Sequence, residues 1–316
     1  MSTSNISIET KTSKRIPKSI SKTDKRRKII QGITPYLFLL PNIIGFLVFT
    51  AIPVIASIAI SFFEWPLLAS PKFVGLENYI KLFTEDDEFG KVLLNTFYYV
   101  VLLLPINLIV SVGFAVWLNS VLRGGALFRV LFFMPVLAPM VASALIWKWL
   151  YQPDYGLING FLKTIGVQGP NWLGDPKYAM LSIVIMSVWA GFGYNMVIFI
   201  AGLQGIPDTL YEAASIDGAN KWTRFWKITL PMLSPTLFFG IIMTLITSFQ
   251  VFDQAFIMTG GGPLNSTNTI VYYIFQNGFE FFKMGYASAI AWVLFAIIFL
   301  VTFFQMKFQK RWVHYE

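Results

Sequence analysis

Six stretches of this chain contain no Asp, Glu, Lys, Arg or His: residues 29–63, 92–122, 130–147, 178–207, 228–252 and 284–306. Crossing about 30 Å of hydrocarbon takes roughly 20 helical residues. Each stretch is therefore long enough to span a membrane, the third with help from its flanking Arg129 or Lys148. With no water inside a bilayer, the backbone must satisfy its own hydrogen bonds, so these segments are predicted to be helices. The pattern places spans near 35–63, 92–120, 128–150, 178–203, 232–254 and 285–307. Prolines 41, 53, 105, 135, 139, 231 and 235 fall in or at the ends of these spans and predict kinked helices around a cavity.

The polar segments between them differ in character. Residues 64–91 are acidic and aromatic, with a short amphipathic stretch at Leu76–Phe83. Residues 151–177 carry the turn signals Pro153, Gly156, Gly169-Pro170 and Gly174 together with Trp172, a residue suited to a membrane interface. Residues 255–284 open on the sharp turn Thr259-Gly260-Gly261-Gly262-Pro263, and the apolar Thr269–Phe282 that follows predicts an interfacial helix, with a seventh span as the alternative. No period of 20–50 residues repeats.

Composition agrees. Apolar residues make up 56%, charged residues 13%, and mean hydropathy is +0.63, whereas a soluble domain carries roughly 25% charged residues. The chain has no cysteine, which excludes disulfides, thiolate metal sites and thiol catalysis, and its single histidine, His314, sits at the C-terminus. No catalytic residue, metal or cofactor is expected.

The net charge of +8 would suggest nucleic acid if it were clustered on one folded face, but it follows the membrane topology instead. Seventeen of the 24 Lys and Arg fall on the side holding the N-tail, the 123–129 turn, the 208–227 loop and the C-tail, against six acidic residues; the other side has seven basic and ten acidic. The positive-inside rule then places both termini in the cytoplasm of a multi-pass membrane protein, and no nucleic-acid partner is expected. Residues 1–33, with nine basic side chains in a Ser/Thr-rich context, predict a disordered cytoplasmic tail; residues 34–316 form the transmembrane domain. The apolar run behind the tail is far longer than a signal-peptide core, so no cleavage is expected.

The loop at 204–231 holds the most information. Pro207 with Asp208 or Thr209 predicts a helix start, a cap oxygen meeting free N–H groups. Ala213, Ala214 and Ser215 make a smooth patch that another protein could approach closely, and Gly218 predicts a left-handed turn that ends the helix. A second amphipathic stretch, Trp222–Ile228, leads into Pro231. Tyr211-Glu212-Ala213-Ala214-Ser215-Ile216-Asp217-Gly218-Ala219, followed by Ile228 and Leu230-Pro231, resembles the EAA loop of ABC-importer permeases. Val74–Tyr79, Arg129–Pro135, Thr259–Pro263 and Asn171–Pro176 are similar to the carbohydrate-uptake branch of that family, in particular to the maltose-type permease that carries the substrate site. That protein's extra N-terminal helices and large periplasmic domain have no counterpart here.

The resemblance implies an all-α, six-helix permease of the type I importer fold. It also implies a second homologous permease subunit, an ABC ATPase dimer docking on residues 208–228, and an extracytoplasmic solute-binding protein. Glu212, Ala213, Ala214, Asp217, Gly218, Ala219 and Pro231 would carry the coupling to the ATPase.

A carbohydrate site needs hydroxyl, amide and backbone partners beside aromatic faces. On the fifth span Thr244, Thr247, Ser248 and Val251 share one helix face by spacing, with Gln250, Asp253 and Gln254 near its end. On the fourth, Gly191 and Tyr194 sit one turn apart, flanked by Trp189 and Asn195. The resemblance places the maltose site at positions matching Gly191, Tyr194, Thr244, Thr247, Ser248 and Val251; Gln250 joins them as a candidate. Packing of membrane helices through small and hydroxyl residues is the alternative use of the same face. Competing functions are a secondary transporter or channel, which would need its own ion-coupling carboxylates or an inverted repeat, and an ABC permease for a non-sugar solute. The chain contains no Gly-x-x-x-x-Gly-Lys-Ser/Thr motif, so ATP hydrolysis is expected on a separate subunit.

Overall fold

The computed structural model describes residues 22–66, 69–120 and 124–313. His314 and residues 1–21 of the basic tail lie outside the described residues. The chain divides into two units, Met1–Ala56 and Ser57–Glu316. In the first, α1 (Lys22–Phe46) passes through a wide π-turn at Leu47–Ala51 into α2 (Ile52–Ile60). Its apolar side chains, such as Phe38 and Phe49, stand exposed on nearly every face, as lipid-facing residues do. The backbone is already helical from Lys22, so the tail gives way to helix before residue 33. Lys and Arg are good helix formers, and the basic run continues directly into the apolar one.

The second unit takes in the end of α2 from Ser57 and continues with a short hairpin, β1 (Phe63–Glu64) against β2 (Lys72–Phe73), and α3 (Glu77–Thr84), the amphipathic stretch expected there. Next come α4 (Asp87–Ser120), α5 (Gly125–Leu137), α6 (Met140–Leu150), α7 (Leu157–Thr164) and α8 (Pro176–Gln204). The remainder is α9 (Asp208–Ile216), α10 (Lys221–Arg224), α11 (Leu230–Met232), α12 (Ser234–Phe249), α13 (Asp253–Met258), α14 (Ile270–Phe275) and α15 (Met284–Phe308). Helix α8 is the axis of the unit: 67% of its most apolar stretch is buried, against 28% for α4 and 22% for α15. It packs most extensively on α4 and also on α5 and α12, around Met186, Met196 and Phe199.

Among the described residues four helices are long and apolar enough to cross a membrane, and six spans result when each of two bent pairs counts as one. The third expected span is therefore not one straight helix. It breaks between α5 and α6 with a bend of 96°. The cause is Pro139, whose ring disfavours the helical region for the residue before it; Ala138 is extended at φ −74°, ψ 137°. The fifth span bends by 67° between α11 and α12, beside Pro231 and Pro235. It ends at Phe249, five residues before the expected boundary.

The stretch expected to be interfacial is the six-residue α14 followed by a π-turn at Gln276–Glu280. It is too short to be a seventh span and is held by protein: Ile270 N–H donates to Thr96 Oγ1 (3.0 Å) and Thr269 Oγ1 to the Val251 carbonyl (2.9 Å).

The α5–α8 seam depends on Gly193. A Cβ there would lie 2.4 Å from the Phe132 carbonyl oxygen and 3.1 Å from Phe133 Cα, both backbone atoms of α5. Gly193→Ala should cost about 1–3 kcal/mol by overpacking, whereas Gly113→Ala, with no atom within 4 Å of its new methyl, should not. Thermal unfolding of the purified protein in detergent checks this; equal melting of the two variants would remove the seam.

Candidate functional site

Between α4, α6, α8 and the end of α12 lies a cavity of about 430 Å³, about halfway along α4 and α8. All seven residues proposed from sequence for a solute line it: Gly191, Tyr194, Thr244, Thr247, Ser248, Gln250 and Val251. They do not arrive by the route the spacing implied. Helix α12 stops at Phe249, so Val251 does not share the helix face of Thr244, Thr247 and Ser248. It reaches the cavity wall because the chain turns there, and its carbonyl is taken by Thr269.

The hydroxyls on that face are also partly spent. Thr247 Oγ1 donates to the carbonyls of Met243 (3.0 Å) and Thr244 (3.1 Å), and Ser248 Oγ donates to Thr244 O. Their lone pairs remain available, but Ser248 is only 2% exposed, while Tyr194 is 45% exposed. Asp253 and Gln254 line the same cavity, and Asp253 is its one charged residue among the described residues.

Sequence reasoning missed Asn107 on α4. Its Oδ1 accepts from Asn195 Nδ2 (2.8 Å) and from Ser111 Oγ (3.3 Å), and the second hydrogen of Asn195 Nδ2 goes to Thr244 Oγ1 (2.8 Å). This network joins α4, α8 and α12 at the cavity wall. The signal was present, since Asn107 and Ser111 stand one turn apart in an otherwise apolar span, where polar groups are costly and face protein or a cavity.

A larger cavity, about 720 Å³, lies beside α3 and α14. Its wall includes Asp86, which accepts from the hydroxyls of Tyr273 (2.8 Å) and Tyr286. Burial, reinforced by that carboxylate, pushes the Tyr273 hydroxyl above its ordinary range, so it stays a neutral donor. Asp86 thereby ties the turn between α3 and α4 to helices α14 and α15.

At the opposite end of α8 stands the 204–231 loop. Helix α9 begins after Pro207, whose backbone is extended at φ −60°, ψ 131°, and no side chain caps it. The expected Asp208 or Thr209 cap does not form: Asp208 lies inside the first turn, where its charge faces the positive end of the helix dipole instead. Gly218 does end the helix, at φ +77°. Gly218 N–H donates to Ser215 O (3.1 Å) and Ala219 N–H to Ala214 O (2.9 Å), the paired bonds of a Schellman turn.

Asn220 then caps α10 by accepting from Thr223 N–H (2.8 Å). Arg224 Nη1 donates to Ser215 Oγ (2.8 Å), and Tyr211 and Thr229 share a hydroxyl contact of 3.0 Å. These contacts hold the two arms as a V. Glu212, Ala213, Asp217 and Gly218 are exposed on it, Ala214 and Ala219 are half-buried, and Ile216 at the tip is 87% exposed. Glu212 makes no ion pair among the described residues. Pro231 sits in α11, at the bend into α12.

Residues 108–314 match the family described as binding-protein-dependent transport system inner membrane component. The chain is 43% identical over 289 residues to the probable ABC transporter permease protein YesP of Bacillus subtilis, covering 90% of this chain and 93% of that one. It is 36% identical over 273 residues to the trehalose/maltose transport system permease protein MalF of Thermococcus litoralis, covering 86% and 92%. Among solved structures, a chain of a bacterial ABC transporter involved in the import of the acidic polysaccharide alginate superposes with a TM-score of 0.79 at 23% identity, over 91% of this chain and 99% of that one. That likeness concerns the fold.

Proposed function

Since the chain belongs to the family of binding-protein-dependent transport system inner membrane components, we propose that it forms half of the translocation pathway for a sugar or oligosaccharide delivered by an extracytoplasmic binding protein. It is a multi-pass permease subunit of an ABC importer in the cell membrane and not an enzyme; ATP hydrolysis falls to a separate subunit. A second permease completes the pathway, and an ATPase dimer docks on residues 208–228.

The observation that carries this reading is that one helix, α8, runs from the cavity at Gly191 and Tyr194 to the exposed two-helix loop that follows Gln204. The cavity offers an aromatic ring, amides and hydroxyl oxygens, which suit a carbohydrate. No Lys or Arg lines it among the described residues, so this half supplies no cation to a phosphate or sulfonate. In this reading Gly191, Tyr194, Thr244, Thr247, Ser248, Gln250 and Val251 contact solute. Tyr194 contributes most, as an exposed side chain with a stacking face, and Ser248 least. On the loop, Glu212, Ala213, Ala214, Asp217, Gly218 and Ala219 meet the ATPase, while Pro231 directs the loop into α12.

Two tests follow from this. Gly218→Leu puts a branched side chain at a left-handed position, a strain of about 1–2 kcal/mol, and Ala214→Trp adds bulk to the docking face. Both are expected to abolish co-purification of the ATPase and ATP-driven uptake while membrane insertion survives; normal uptake by both would remove the docking assignment. The split of Lys and Arg also puts both termini in the cytoplasm, so reporter fusions after Ser70 and after Gln168 should read outside. A cytoplasmic signal from either would overturn that orientation.

A further inference from the structure

The hydrogen bonds around Asn107 leave one group unspent, and it borders the cavity. An amide oxygen has two lone pairs and an amide nitrogen two hydrogens. Asn107 Oδ1 accepts from Asn195 Nδ2 (2.8 Å) and stands 3.3 Å from Ser111 Oγ, whose single proton also has the Phe192 carbonyl at 3.0 Å. Asn107 Nδ2 has no acceptor among the described residues. Nor is it sealed in the core: Asn195 Oδ1 is enclosed without a partner, whereas Asn107 Nδ2 is not among such enclosed atoms. It faces Gly191, where an added Cβ would come within 3.6 Å of it and meet no other atom within 4 Å. Asn107 and Gly191 both line the cavity. An N–H at this depth without an acceptor is costly, and the bare backbone of Gly191 leaves a path by which an acceptor can reach it.

We infer that Asn107 is a solute-recognition residue contributed by α4, donating from Nδ2 to a hydroxyl or ring oxygen of the bound carbohydrate. Asn195 is a positioning residue: by donating to both Asn107 and Thr244 it fixes the Asn107 amide with its oxygen inward and its NH2 group toward the cavity. The orientation is directional. Asn107 presents its donor toward the ligand, while its oxygen is turned to Asn195. This inference rests on the reading of the cavity as a carbohydrate site.

The test uses the complete importer with its ATPase and binding protein in proteoliposomes, supplied with radiolabelled glucose, maltose, trehalose and raffinose. The readout is sugar transported per ATP hydrolysed, for each sugar the parent complex takes up. Asn107→Leu removes the donor. Gly191→Ala leaves the network intact but covers Nδ2 with a methyl group, and so keeps the test decisive if the first variant fails to assemble. Each is expected to lower sugar per ATP roughly three- to tenfold, the loss of one hydrogen bond, and the double variant should be no worse than either single one. A role confined to helix packing would instead lower complex abundance and leave the ratio of the assembled complex unchanged. Parental ratios in the variants that assemble would overturn the inference. A parent complex that moves none of the four sugars would overturn the carbohydrate reading and this inference with it.

Discussion

The Asn195 amide donates one hydrogen to Asn107 Oδ1 on α4 and the other to Thr244 Oγ1 on α12, so a single side chain on α8 ties three helices together. In hydrocarbon no water would compensate for the loss of either bond. The helices are therefore held in register where the cavity lies, and the cavity exists because the surrounding chain departs from straight helix at the same depth. The break at Ala138-Pro139 brings Met140 to its wall, and the early end of α12 brings Gln250 to Gln254. Irregular backbone at membrane depth is tolerated where it is enclosed by protein or lines a cavity, and both breaks meet that condition.

The same helix links this cavity to the loop. Tyr194 and Gln204 are ten residues apart on α8, about 15 Å at 1.5 Å per residue. Close approach also joins α8 to the start of α12 just before Gln204. A Cβ at Gly202 would lie 2.6 Å from Thr236 Oγ1 and 2.8 Å from Leu233 Cδ1, so the side chains at the start of α12 pack directly on the bare backbone near the end of α8. The V of α9 and α10 is braced internally by Arg224–Ser215 and Tyr211–Thr229 and is continuous with both helices. In the proposed function, a push on the loop moves the two helices that carry Tyr194 and Thr244 as one body.

Much of this was legible in the sequence because the strongest signals were local. Charge-free runs locate the membrane helices, and Gly218 marks the left-handed turn. The loop's residue pattern identifies the family. The polar face of the fifth span and the Gly191–Tyr194 pair do converge on one cavity. What the sequence left unread depends on tertiary contacts. Helix α12 ends without a Gly or Pro at residues 249–252; its turn is fixed by the bond from Thr269 to Val251. The residues at the start of α9 point to a side-chain cap, whereas the extended backbone of Pro207 begins the helix. Asn107, the one amide in the middle of α4, carries the same message as the polar face of the fifth span, but its partner Asn195 stands on α8, where no spacing within α4 points.

In the proposed function, the tip of the α9–α10 loop is where this chain meets the subunit that hydrolyses ATP. Ile216 offers the most direct probe, since its side chain is 87% exposed at that tip. A photo-crosslinking amino acid placed at position 216 of the full complex in native membranes should capture the ATPase subunit on illumination, in high yield and without loss of transport. A complex that assembles and transports yet yields only lipid adducts, or none, at position 216 would contradict the account.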